Sequence, residues 1–119
     1  MKVINVNGKD YALKLTIGSI KNLEKRLGKN PLNFFVTNGD LPEITPMSIM
    51  FHAALTTMNH GITEEDSDKI LDDWCNEYVP KDKDDMAFTG LFNLILEVFQ
   101  DAGFVPKTQE KEKTSSKNK

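Results

Sequence analysis

The chain has 119 residues, 18 acidic and 15 basic side chains, and 39% hydrophobic residues. That is apolar material for one modest core in a single domain. No apolar run approaches the ~20 residues of a membrane-spanning helix, and the single cysteine, Cys75, rules out an internal disulfide framework. The polar opening Met1-Lys2-Val3-Ile4-Asn5 lacks the apolar centre of a secretory signal, so a cytosolic setting is expected. The net charge of −3 is unevenly spread: residues 1–62 carry +3, 63–101 carry −9 and 102–119 carry +3. Opposed regions of this kind suit a basic partner or head-to-tail self-association, or simply keep an acidic helix face solvated.

Taken in chain order, the first signal is a hairpin across residues 2–16. Asn7 and Gly8 tolerate the positive φ of a tight turn between two alternating segments. A two-residue loop pairs Ile4 with Tyr11 and a four-residue loop pairs Val6 with Tyr11. Either register gathers Ile4, Val6, Tyr11, Leu13 and Leu15 on one face. Thr16 or Ser19 can cap a helix over 17–27, where Ile20, Leu23 and Leu27 keep helical spacing and Gly28 supplies a left-handed stop. Asn30-Pro31 reads as a cap and first residue of a short helix over 31–37 that offers Leu32, Phe35 and Val36 to the core. Asn38-Gly39-Asp40 then turns the chain, and Thr45-Pro46 repeats the cap-plus-proline start for a helix over 46–60.

Thr63 opens a helix over 64–79 with Glu64, Glu65 and Asp66 in its first turn, where negative charge meets the positive end of the helix dipole. Ile70, Leu71, Trp74, Cys75 and Tyr78 form its inner stripe. Asp82 to Asp85 supply a polar hinge and N-caps for a last helix over 85–102. Seven of the nine residues from Leu91 to Phe99 are apolar, more than one face requires, so this helix is either central to the domain or covered by a partner. Phe104 and Val105 can tuck back. Residues 107–119 contain no apolar side chain and are expected to form a disordered polar tail after a globular region spanning 1–106.

No motif for catalysis emerges. The aspartates from Asp66 and from Asp82 do not follow a calcium loop, because the sixth position counted from each is Leu71 or Ala87 rather than glycine. His52 and His60 are eight residues apart, about 12 Å along a helix, too far to share an ion. A buried Cys75 would hold its thiol protonated and inert. No glycine-rich phosphate loop, nucleophile elbow or zinc-binding His-Glu motif occurs. Lys21, Lys25, Arg26 and Lys29 line the first helix, yet a pI of about 5.3 speaks against nucleic acid. Neither catalysis, cofactor nor metal is expected.

The order of elements resembles that of phage tail assembly chaperones of long-tailed phages and prophages of Gram-positive bacteria. The resemblance rests on Val6-Asn7-Gly8-Lys9-Asp10-Tyr11, Leu13-Lys14-Leu15-Thr16-Ile17-Gly18 and Ile20-Lys21-Asn22-Leu23-Glu24-Lys25-Arg26-Leu27-Gly28. These residues match the hairpin and Leu-Glu-rich, glycine-ended helix that open that family before a mostly helical remainder. It implies a non-enzymatic protein of the host bacterial cytoplasm, absent from the mature virion. Such a protein binds the tape measure protein, and tail tube subunits, while the tail assembles. It further implies a longer product made by ribosomal frameshifting, for which Lys117-Asn118 could supply the slippery codons, and hence association with an extended form of the same chain.

The fold expected is α+β and mostly helical: an N-terminal hairpin, four or five helices and a polar tail. Partner-binding candidates are the methionine face Met47, Met50 and Met58, the acids Asp68, Asp72 and Asp73, and Phe92, Leu96 and Phe99 of the last helix. Core filling is the plainer use of the methionines and of most of Leu91 to Phe99. A contrasting function is a small acidic regulator that uses Asp66 to Asp85 to mimic DNA or occupy a basic surface of a host protein.

Overall fold

A computed structural model gives the architecture, described for residues 1–36 and 42–106. Strand β1 (Lys2–Val6) pairs antiparallel with β2 (Lys9–Leu13), and helices α1 (Ile17–Leu27), α2 (Ile44–Met58), α3 (Glu64–Glu77) and α4 (Ala87–Asp101) follow. A short 3₁₀ helix, Pro31–Phe35, lies between α1 and α2. The fold is α+β and mostly helical. Of the expected tail, residues 107–119 lie outside the described residues, as does the turn expected at Asn38-Gly39-Asp40.

The hairpin takes the two-residue register, with Ile4 opposite Tyr11 and Val6 opposite Lys9. Asn7 at φ 54° and Gly8 at φ 79° form the turn, and both angles lie in the left-handed region that Asn and Gly enter most readily. Ile4, Val6, Leu13 and Leu15 are buried on one face with Tyr11 half-buried beside them. On the other face Asn5 Nδ2 donates to Asp10 Oδ1 at 2.8 Å. The turn is also tied to α3: the Asn7 N–H donates to both carboxylate oxygens of Glu77, at 2.9 and 3.2 Å, and Asn7 Nδ2 donates to Asp73 Oδ2 at 2.8 Å.

Thr16 and Ser19 act together at the start of α1. The Thr16 side chain accepts from the Ser19 N–H while the Ser19 hydroxyl accepts from the Thr16 N–H, a reciprocal cap. Ser19 also reaches Thr57 of α2, oxygen to oxygen, at 3.0 Å.

α2 is the hub, packing against β2, α1, α3 and α4. It buries Met47, Met50, Phe51, Ala53, Ala54 and Leu55. Its bond to the hairpin is partly polar. The Lys14 N–H donates to the Ala54 carbonyl at 3.1 Å, and Asn59 Nδ2 donates to the Ala12 carbonyl at 2.9 Å. The helix begins earlier than the Thr45-Pro46 signal implied, at Ile44 with Glu43 as N-cap. Pro46 is then the third helical residue, where an N–H would have no intrahelical acceptor, so the ring costs no hydrogen bond. The segment after Pro31 is also shorter than expected. It is a 3₁₀ turn ending at Phe35, and Val36 is 69% exposed rather than offered to the core.

α3 starts with a reciprocal cap between Thr63 and Asp66 and ends at Glu77, with Tyr78 as its C-cap. The following hinge is organised by one carboxylate. Asp85 Oδ2 accepts from the Tyr78 hydroxyl at 2.6 Å and from the Lys81 N–H at 2.9 Å. Asp85 therefore does not cap α4, whose N-cap is Met86 with no side-chain hydrogen bond. The Tyr78 ring lies flat against Gly90, where a Cβ would fall 2.3 Å from Tyr78 Cε1, so only glycine admits the ring there. α4 buries Leu91, Leu94, Ile95, Val98 and Phe99. At its C-terminus the Phe104 N–H returns to the Phe99 carbonyl and the Gly103 N–H to that of Gln100, both at 3.0 Å, so Phe104 and Val105 fold back on the core.

Candidate interaction surface

The candidate side chains separate into an interior group and two outer patches. Met47, Met50 and Phe99 are at most 1% exposed. They belong to the core, and the expectation that they meet a partner does not hold for this fold. Met47 and Met50 share a face of α2, and Met50 meets Leu13 and Leu15 of the hairpin segment and Ile95, Val98 and Phe99 of α4. Met58, 46% exposed, is the one candidate methionine at the surface. It sits at the far end of α2 from Ile44, about 20 Å away by helical rise.

The first outer patch is aromatic. Phe92 is half-buried in contact with Phe34 and Phe35, with ring centroids 5.7 Å apart in each pair, while Phe35 stands edge-on to Phe99 at 4.9 Å. The 3₁₀ helix thus covers one flank of α4. Leu96 is half-buried on the same helix.

The second patch is a groove where α3 lies against the N-terminal half of α2. It encloses about 410 Å³ and is lined by Ile44, Thr45, Ser48, Asp68, Leu71, Asp72 and Cys75. Its floor is apolar, through Leu71 and the 49%-exposed Ile44, and exposed Asp68 and Asp72 stand on its acidic wall. Asp73 points elsewhere, to Asn7. Cys75 is half-buried, and burial first, with the Asp72 charge second, pushes its thiol pKa up. The thiol therefore stays protonated and is a weak nucleophile. Sequence reasoning named Asp68 and Asp72 as partner-binding candidates but missed Ile44 and Ser48, which come from a different helix. Ile44 precedes the helix expected over 46–60, so no helical spacing pointed to it.

Two further side-chain groups shape the surroundings. The Tyr78 hydroxyl bond is the largest cause holding the Asp85 carboxyl below the ordinary carboxylate range, followed by the Lys81 N–H. The same bond raises the Tyr78 pKa. His52 Nε2 lies 2.9 Å from the Ile62 carbonyl, which fixes the ring at the turn between α2 and α3. Among the described residues no three of His, Cys, Asp and Glu stand together as a metal site, and no helix is long and apolar enough to cross a membrane.

The hairpin and the helices packed around α2 make a small α+β, mostly helical protein with an acid-edged apolar groove. Over residues 1–119 the chain matches a family described as a family of unknown function (DUF6096), and it belongs to that family. No curated protein and no solved structure matches it.

Proposed function

We propose that this chain is a phage tail assembly chaperone, a non-catalytic protein of the host bacterial cytoplasm that binds the tape measure protein, and tail tube subunits, during tail assembly. The observation that carries the reading is the opening unit itself. The stretch from β1 to Gly28, which bears the resemblance, is anchored to both α2 and α3 through Lys14, Asn59, Asp73 and Glu77. A unit held in this way acts as a scaffold and leaves the outer sides of α3 and α4 free for a client. Half-covered Phe92 and Leu96 offer apolar contact, and the exposed acids of α3 suit a lysine-rich helical segment.

Co-expression with the tape measure protein encoded in the same gene cluster tests this. The tape measure protein is expected in the soluble fraction, co-purifying with the chain and retained at 0.5 M salt, because apolar contacts are little screened at about that ionic strength. An insoluble or unbound tape measure protein would overturn the reading. A complex that dissolves at moderate salt would favour the acidic regulator instead.

A further inference from the structure

The α2–α3 groove has a matching shape elsewhere on the same chain. The outward side of α1 carries Ile17, Lys21 and Lys25 on one stripe, four residues and about 6 Å apart. Ile17 is 66% exposed, which is unusual for an isoleucine on a helix whose other apolar residues, Ile20, Leu23 and Leu27, face inward. The groove presents the complementary pattern. Asp68 and Asp72 are also four residues, about 6 Å, apart, with Leu71 on the floor between them and Cys75 and Ile44 beyond Asp72. None of these four charged groups is in an ion pair among the described residues.

We propose that the α2–α3 groove receives α1 of a second copy of this chain. The two helices run antiparallel, with Lys25 against Asp68, Lys21 against Asp72, and Ile17 in the apolar end formed by Ile44 and Cys75. Within one molecule α1 turns its apolar side to its own α2, and the ion pair between α1 and α3 is Arg26 with Glu64 rather than Lys21 or Lys25 with the groove. Each copy therefore offers one donor helix and one acceptor groove, and the pairing is met either by reciprocal exchange in a two-fold dimer or by propagation head to tail. The uneven charge of the sequence, +3 over residues 1–62 and −9 over 63–101, is the coarse form of the same complementarity. The interface does not depend on the proposed client.

Analytical ultracentrifugation of the full chain tests it. At about 50 mM salt the mass should grow with concentration to a dimer or beyond, and association should weaken at least about tenfold by 0.5 M salt. The variant Lys21→Glu/Lys25→Glu and the variant Asp68→Lys/Asp72→Lys should each be monomeric alone and should associate when mixed, since each then meets a groove of opposite sign. All four positions are solvent-exposed, so the fold should tolerate the changes. A wild type that stays monomeric to ~0.5 mM would overturn the proposal. So would charge-reversed variants that associate like the wild type, or a mixture that remains monomeric.

Discussion

α2 and α4 are both 15 residues long and rich in apolar side chains, yet the fold uses them differently. α2 is enclosed by β2, α1, α3 and α4, and its Met47 and Met50 disappear into the core. α4 buries one side against α2, α3 and β1 and leaves Phe92 and Leu96 half-covered, with Phe34 and Phe35 lying over Phe92. By sequence, α4 was the helix with more apolar surface than one face requires. The position of the hairpin decides the matter: it lies across α2 and supplies Leu13 and Leu15 to a side that would otherwise be open. Apolar content alone does not rank helices by centrality. The number of neighbours a helix can acquire does.

The largest test of this contrast is truncation inside α2. Phe51 is 1% exposed, so Phe51→Ala should lower the unfolding free energy by about 3–5 kcal/mol. Phe92→Ala on α4 should cost about 1–2 kcal/mol, since the ring is only half-covered and loses mainly its contacts with Phe34 and Phe35. Urea denaturation of both variants at unchanged m-value would measure the difference. Equal losses would break the comparison.

How α4 is held on α3 sharpens it next. Gly90→Ala places a methyl group within the Tyr78 ring, which must swing away and give up the Asp85 bond. A loss of roughly 1–3 kcal/mol is expected, read by the same denaturation. Thr63→Ala, which removes one half of the reciprocal cap of α3, should cost about 1 kcal/mol.

The smallest effect is one of pH. Asp85 has a lowered pKa in the folded chain, so its contribution to stability is present above the ordinary unfolded value near ~4 and disappears as pH falls through the lower folded value. Tyr78→Phe removes the principal cause. The Asp85 carboxyl midpoint, followed by NMR, should then move up toward the ordinary carboxylate range. An unchanged midpoint would show that the Lys81 N–H, not the tyrosine, sets it.

Much of this fold is legible in short-range chemistry. Asn7-Gly8 selects the hairpin, Thr16 with Ser19 and Thr63 with Asp66 start two helices, and Gly103 marks the return of Phe104. The misread features depend on distant partners. Asp85 looks like an N-cap until Tyr78 claims its carboxylate, and Met47 and Met50, which the sequence offers both as a binding face and as core filling, are fixed as core by the elements packed around α2. The groove was half legible. Asp68 and Asp72 stand out in the sequence, but its apolar floor draws on Ile44, a residue 24 positions earlier than Asp68 and brought close only by the antiparallel packing of α2 and α3.

The placement of α2 is tested most directly by amide hydrogen exchange across the whole chain. Amides from Met50 to Leu55 should exchange only through global unfolding, at the free energy given by denaturant, and none in α4 should be slower. Faster exchange through Met47 to Leu55 than through Leu94 to Phe99 would contradict the account, because it would mean that the methionine helix lies at the surface and α4 at the centre.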